Sequence, residues 1–121
     1  MRIVAIEHVQ LGMPAGGEAQ ARRFYQEALG IPEQPKPPDL AARGGCWFER
    51  GALKVHLGID PDFRPARKAH AAFAVEDLPA LRAKLEANGF PTRDDAPLTG
   101  FARFFVDDPF GNRLEFLEPN A

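Results

Sequence analysis

Residues 104–119 read FFVDDPFGNRLEFLEP, and this stretch decides how the end of the chain folds. Two apolar runs flank a turn in which Pro109 presets φ and Gly111 supplies a positive-φ position, so the stretch predicts a β-hairpin. Side chains alternate between the two faces of a strand, which places Glu115 on a rigid and largely apolar element. A carboxylate in such a position must stay hydrated, pair with a cation or bind a metal ion.

Composition limits the classes of protein to which the chain can belong. The 121 residues suit one domain of ordinary size, and 45% hydrophobic with 26% charged residues is typical of a globular protein. A formal charge of -2 provides no basic surface for nucleic acid, and no apolar run reaches the roughly 20 residues of a membrane span. We therefore expect a cytoplasmic protein with neither nucleic acid nor membrane as a partner. The single cysteine, Cys46, is expected to be a buried, inert thiol.

The first half of the chain contains four strand-like or helical patterns separated by Gly and Pro. Apolar and β-branched runs predict strands, and apolar residues at helical spacing predict one helix that ends before Gly30. The proline-rich segment that follows this helix predicts an edge strand or an ordered loop. In chain order, the predicted elements are strand Arg2–Met13, helix Glu18–Leu29, segment Ile31–Asp39, and strands Gly45–Glu49 and Leu53–Ile59.

The second half repeats this order after a linker at residues 61–68. A helix is predicted to begin after Asp77, which is a favourable N-cap residue, and to end before Gly89. In chain order, the predicted elements are strand Ala69–Val75, helix Leu78–Asn88, irregular segment Pro91–Gly100 and the hairpin Phe101–Pro119.

The two halves align as copies of one module. The Gly-Ile-Pro that begins at Gly30 matches the Gly-Phe-Pro that begins at Gly89, an offset of 59, and His56 matches Glu115 at the same offset. His8 matches His70 at an offset of 62. The sequence therefore predicts an α+β fold of two βαβββ modules, about 1–60 and 69–121.

Four side chains with metal-binding chemistry fall at these repeated positions. They include all three histidines of the chain together with one carboxylate: His8, His56, His70 and Glu115. A lone strand histidine is more often a core or surface residue, but four donors at equivalent positions of a repeat favour a metal site. Three imidazoles and a carboxylate suit one divalent ion such as Zn, Ni, Fe or Mn.

Four short motifs resemble the vicinal oxygen chelate superfamily, which includes glyoxalase I, fosfomycin-resistance thiol transferases, bleomycin-binding proteins and extradiol dioxygenases. The motifs are IEHV at 6–9, FYQEALG at 24–30, AHAAFAVEDL at 69–78 and DPFGNRLE at 108–115. The resemblance implies two βαβββ modules whose mixed sheets curl into a glyoxalase-like cup, and commonly a homodimer. It also implies that the first and fourth strands of each module supply metal ligands, here His8, His56, His70 and Glu115.

The chain departs from the better-known members of that superfamily. Glyoxalase I usually has a carboxylate where His56 stands, and the fosfomycin-resistance enzymes carry a tyrosine and a lysine where this chain has Phe105 and Asp95. The substrate is therefore left open by these motifs. The side chains considered for a substrate pocket are Trp47, Phe48, Arg103 and Arg113.

Two functions of different class follow from the sequence. The first is a metal-dependent enzyme, similar to lactoylglutathione lyase or a related isomerase or lyase, that acts on a small oxygen-chelating substrate with Glu115 as a catalytic group. The second is a metal-free protein that sequesters a small molecule, as bleomycin-resistance proteins do. In the second case, Glu115 would be hydrated or paired with Arg103 or Arg113.

Overall fold

The computed structural model describes all 121 residues, Met1–Ala121, which form two compact units. The first unit contains Met1–Arg64 and the second Pro65–Ala121. The boundary between them lies inside the predicted linker at residues 61–68. Each unit has its own four-stranded mixed sheet.

The first unit begins with β1 (Val9–Met13) and α1 (Glu18–Ala21), and α1 continues as a π-helical segment, Arg22–Ala28. Its remaining elements, in chain order, are β2 (Glu33–Gln34), α2 (Pro38–Ala41), β3 (Cys46–Arg50) and β4 (Leu53–Ile59). The strand order is β1-β4-β3-β2, in which β1 runs parallel to β4 and the other pairs are antiparallel.

The second unit repeats this plan with a longer regular helix. Its elements are β5 (Ala71–Ala74), α3 (Leu78–Ala87), β6 (Thr92–Arg93), β7 (Phe101–Asp107) and β8 (Arg113–Pro119). The strand order is β5-β8-β7-β6, with β5 parallel to β8. The α+β class and the two βαβββ modules predicted from the sequence are therefore confirmed.

In each unit the longest helix packs on one face of the sheet. In the first unit Tyr25 stacks on Phe48 of β3, with ring centroids 5.3 Å apart. In the second, Arg82 of α3 lies over the ring of Phe104, which pairs with Phe116 across β7 and β8. Because side chains alternate along a strand, neighbours of these core residues point to the face away from the helix.

The predicted first strand of each module is too long. The predicted strands are Arg2–Met13 and Ala69–Val75, but the observed strands, β1 and β5, begin only at Val9 and Ala71. His8 and His70 therefore immediately precede strands rather than lying inside them. The reason is the length of the neighbouring strand. Val9 pairs with Val55 and Ala71 with Leu114, and the neighbours β4 and β8 each begin only one or two residues earlier. Residues further toward the N-terminus have no neighbouring strand with which to form backbone hydrogen bonds.

Two shorter corrections and one confirmed prediction concern the connections. The helix predicted over Glu18–Leu29 changes to π geometry, in which the Leu29 N–H donates to the Phe24 carbonyl five residues back at 2.9 Å. The proline-rich segment Ile31–Asp39 contains an edge strand, β2, as predicted, and the single-turn helix α2 begins at its end. The segment Pro91–Gly100, predicted to be irregular, contains the two-residue edge strand β6.

No helix of the structure is both long and apolar enough to cross a membrane.

The turn of the last hairpin is built as its sequence predicts. The buried carboxylate of Asp108 accepts hydrogen bonds from the backbone N–H groups of Phe110 (2.9 Å) and Asn112 (2.8 Å), and Gly111 has φ +91°. Asp108 is therefore a structural turn residue, and the strand that carries Glu115 leaves a rigid turn.

Candidate functional site

Strand register brings the four candidate donors together as two pairs. Since Val9 is opposite Val55 and Ala71 is opposite Leu114, the two sheets repeat the same register at offsets of 62 and 59, as in the sequence alignment. His8 consequently meets His56 in the first unit, and His70 meets Glu115 in the second. Both pairs lie on the sheet face opposite the helix of their own unit.

The first pair is part of a stack of three aromatic rings. The buried imidazole of His56 lies between His8 and Trp47, with centroid distances of 4.3 Å on both sides and interplanar angles of 20° and 9°. His56 Nε2 lies 2.6 Å from Glu49 Oε2, so the ring is held at its edge as well as by both faces. Glu49 is a site residue that the sequence analysis missed.

The other end of the stack reaches a surface network of charges. His8 Nδ1 lies 3.1 Å from Glu7 Oε1, and Glu7 also forms an ion pair with Lys54. Hydrogen bonding to Lys54 and then to His8 lowers the pKa of the Glu7 carboxyl. His8 is therefore oriented by an ionised but exposed carboxylate.

The second pair has an unusual arrangement of acceptors. His70 Nδ1 lies 2.8 Å from the backbone carbonyl of Lys68, which can only accept, so Nδ1 carries a proton and donates. His70 Nε2 lies 2.9 Å from Glu115 Oε1, which also accepts when ionised. Two acceptors at this distance require either a second proton on the ring, which would donate to Glu115, or a cation bound to both of them.

Glu115 is the only acid of the two pairs, and it is buried. It is 6% exposed, and its second oxygen, Oε2, lies 3.2 Å from Arg103 Nη1. Burial raises the pKa of the Glu115 carboxyl, but hydrogen bonds from His70 and Arg103 outweigh burial and leave the pKa below its ordinary value. Glu115 is thus a carboxylate at neutral pH, and Arg103 is its arginine partner.

Arg103 and Arg113 share the buried ring of Phe105. Their guanidinium carbons lie 5.2 and 4.2 Å from its centroid, and the ring of His70 meets its edge at 5.4 Å. Arg113 binds Asp95 at 3.0 Å instead of Glu115. Phe105 therefore forms the apolar floor beneath the His70–Glu115 pair.

Trp47 and Phe48, the other two residues predicted to line a pocket, lie on opposite faces of β3. Trp47 lies on the face of His56, whereas Phe48 is fully buried on the helix side and belongs to the core. Alternation along β3 puts Glu49 on the same face as Trp47, so the hairpin register was the signal that could have found it. Cys46 is buried like Phe48, and burial raises its pKa to about 11, which makes it a protonated thiol rather than a nucleophile.

The donor chemistry of the four residues fits a divalent ion, and the structure groups them two by two. No group of three or more His, Cys, Asp or Glu side chains in the structure is arranged to hold a metal ion. In the second pair Nε2 and Oε1 lie 2.9 Å apart, so both could be ligands of one divalent ion. The Nδ1 hydrogen bond to a backbone carbonyl is the usual support of a metal-binding imidazole.

Comparison with known proteins agrees with this architecture. A glyoxalase family protein from Bacillus anthracis is 43% identical, and its crystal structure superposes with a TM-score of 0.94 over 99% of this chain and 98% of that one. A lactoylglutathione lyase from Haemophilus influenzae is 30% identical over 108 residues, which cover 79% of this chain and 80% of that protein. The fosfomycin resistance protein FosX from Listeria monocytogenes shares the fold at 13% identity, with a TM-score of 0.78 over 98% of this chain and 96% of that one.

A family model covers almost the whole sequence, from residue 5 to residue 116. This range includes both modules and all four candidate donors. The chain belongs to the Glyoxalase/Bleomycin resistance protein/Dioxygenase superfamily.

Proposed function

We propose that the chain is a metal-dependent enzyme in which His8, His56, His70 and Glu115 bind one divalent ion and which acts on a small oxygen-bearing substrate. The observation that supports this most is the pair His70–Glu115. With Nδ1 donating to the Lys68 carbonyl, a neutral His70 would present the lone pair of Nε2 beside a carboxylate oxygen 2.9 Å away. A divalent ion would satisfy both acceptors at once.

The residues of the chain would contribute in distinct ways. When bound, the ion would supply the positive charge that holds two substrate oxygens and stabilises an enolate or oxyanion. Glu115 is the proposed catalytic group, since an ionised carboxylate beside the substrate can accept a proton. Its ion pair with Arg103 makes Glu115 a weak base, so proton transfer would be favoured when substrate draws Arg103 away.

The proposed substrate is a carbonyl or hemithioacetal compound. The similarity to a lactoylglutathione lyase supports a reaction of the isomerase or lyase type. A phosphonate is less suitable, because Phe105 is buried without a hydroxyl to donate and Asp95 adds negative charge near Arg113.

We also propose that the protein is a homodimer. The segment before β1 holds three large apolar side chains, Ile3, Val4 and Ile6, that are 97%, 78% and 81% exposed. Exposed β-branched residues in an extended segment without a sheet partner are typical of a surface that a second chain covers.

A second candidate function is metal-free binding of a small molecule. It is favoured by the Arg103–Glu115 ion pair, because a guanidinium at 3.2 Å already neutralises the carboxylate that would bind the ion. In this case the His56 stack would form an aromatic wall and Glu115 would only fix Arg103.

Metal analysis of protein purified without an affinity tag separates the two functions. We expect one equivalent of a divalent ion per chain by mass spectrometry of the metal content, and loss of that ion in His70→Ala and Glu115→Gln. Asp95→Asn, which changes a carboxylate bound to Arg113 and to the Ala96 N–H rather than to His70, is the matched control and should retain the ion. Absence of metal, together with no rise in melting temperature on adding Zn, Ni or Mn, would contradict the enzyme and support the binding protein.

A further inference from the structure

A cavity of about 310 Å³ opens in the first unit next to Trp47. It lies between α2 with its flanking residues and the sheet face that carries His56. This volume is at the lower end of small-molecule pockets, which suits a ligand with a single ring. The side chains that shape it are Gln10, Lys36, Leu40, Arg43, Trp47 and Ile59.

The charges in this cavity are all positive. Lys36 and Arg43 contribute cations, and none of the lining residues is acidic, although the chain as a whole has a formal charge of -2. Lys36 donates a hydrogen bond to the Gly44 carbonyl, whereas the exposed guanidinium of Arg43 forms no ion pair and no side-chain hydrogen bond. Arg43 is therefore the group with hydrogen-bond donors available to a ligand anion.

Trp47 and Leu40 give this largely polar cavity an apolar wall. The indole of Trp47 is held nearly parallel to His56, at an angle of 9°, so its orientation is fixed before a ligand arrives. Leu40 adds aliphatic surface. Gly58 provides room for Gln10, since a Cβ at Gly58 would come within 2.5 Å of Gln10 Nε2.

We propose that this cavity binds a small aromatic carboxylate. The carboxylate pairs with Arg43, whose planar fork matches two carboxylate oxygens, while Lys36 adds positive charge. The ring lies beside Trp47 and Leu40. This ligand site goes beyond the proposed function and is separate from the His70–Glu115 pair. It does not require a metal ion.

The test uses benzoate, with benzamide as its uncharged counterpart of the same shape. Trp47 is the only tryptophan of the chain, so quenching of its fluorescence reports on occupation of the cavity. Titrations are run in EDTA, so that failure of the metal proposal does not affect the result. We expect benzoate to quench Trp47 at least tenfold more tightly than benzamide, because only benzoate forms a charge-assisted hydrogen bond.

Variants identify the residue responsible. Arg43→Gln should weaken benzoate binding about tenfold and leave benzamide unchanged. Arg64→Gln removes the same charge from an exposed position of the same unit outside the cavity lining and should bind benzoate like the wild type. Equal binding of benzoate and benzamide, equal effects of the two arginine substitutions, or no quenching by benzoate up to its solubility limit would each overturn the proposal.

Discussion

Arg103 and Glu115 form an ion pair on the helix-free face of the second sheet, with Nη1 3.2 Å from Oε2. The other oxygen of the same carboxylate faces His70. Glu115 therefore stands between a permanent cation and an imidazole, and the balance between these neighbours determines whether the carboxylate can serve as a metal ligand. The first two predictions concern that balance.

Replacing Arg103 should strengthen metal binding if the proposed centre exists. Arg103→Gln removes a positive charge beside a candidate ligand, and we expect the dissociation constant for Zn or Ni to fall about tenfold, measured by titration calorimetry. Arg113→Gln is the control, because Arg113 lies over the same Phe105 ring but binds Asp95. Equal constants for the two variants, or weaker binding by Arg103→Gln, would count against the centre.

The lowered pKa of Glu115 predicts a specific dependence of stability on pH. A carboxyl whose pKa is lowered by folding stabilises the folded state above its unfolded pKa, here about 4.5, and loses that contribution as pH falls through the lower folded value. Glu115→Gln should therefore lower the free energy of unfolding at pH 7 by about 1–3 kcal/mol and show little difference from wild type near pH 3.

Urea unfolding between pH 7 and pH 3 measures this gap. Asp62→Asn changes an exposed carboxylate that takes part in no ion pair and should follow the wild-type curve throughout. A gap between wild type and Glu115→Gln that stays constant, or that widens as pH falls, would show that the carboxylate does not stabilise the fold in its ionised form.

Local chemistry explains what the sequence could predict. The last hairpin follows from alternation along its strands and from a turn that needs Pro109 and Gly111, and both signals lie within a few residues of each other. The repeat was equally visible, since its offsets of 59 and 62 are the offsets of the strand register. The pairing of donors within each unit follows from that register.

What the sequence missed depends on contacts between distant segments. The partner of Glu115 could have been Arg103 or Arg113, and the choice is made by Asp95, which lies 18 positions before Arg113 and binds it. The lengths of β1 and β5 depend on where the neighbouring strands begin. Such contacts are set by the three-dimensional arrangement and leave no pattern in the local sequence.

Asp77 tests the role of backbone conformation at the start of α3. It has φ +62°, in the left-handed region, while its side chain accepts a hydrogen bond from the Ala80 N–H at 3.2 Å. Asp77→Ala loses the cap and retains a strained backbone, so we expect a loss of about 1–2 kcal/mol. Asp77→Gly loses the same bond but adopts this φ freely, and should be clearly less destabilising. Thermal unfolding of both variants would contradict this account if Asp77→Gly proved the less stable of the two.

The final prediction concerns the exposed segment before β1. If Ile3, Val4 and Ile6 form part of a dimer interface, light scattering should give twice the 13.3 kDa chain mass at micromolar concentration. Ile6→Lys should shift the protein toward the monomer, because burial of a large aliphatic side chain contributes about 1.5–3 kcal/mol and a charge cannot be buried there without a partner. Ile6 is 81% exposed, so the substitution should leave the circular dichroism spectrum unchanged. Leu98→Lys, at a position that is 39% exposed in the second unit, is the control and should remain dimeric. A wild-type mass of one chain would refute the dimer, and a dimer that survives Ile6→Lys would exclude this segment from the interface.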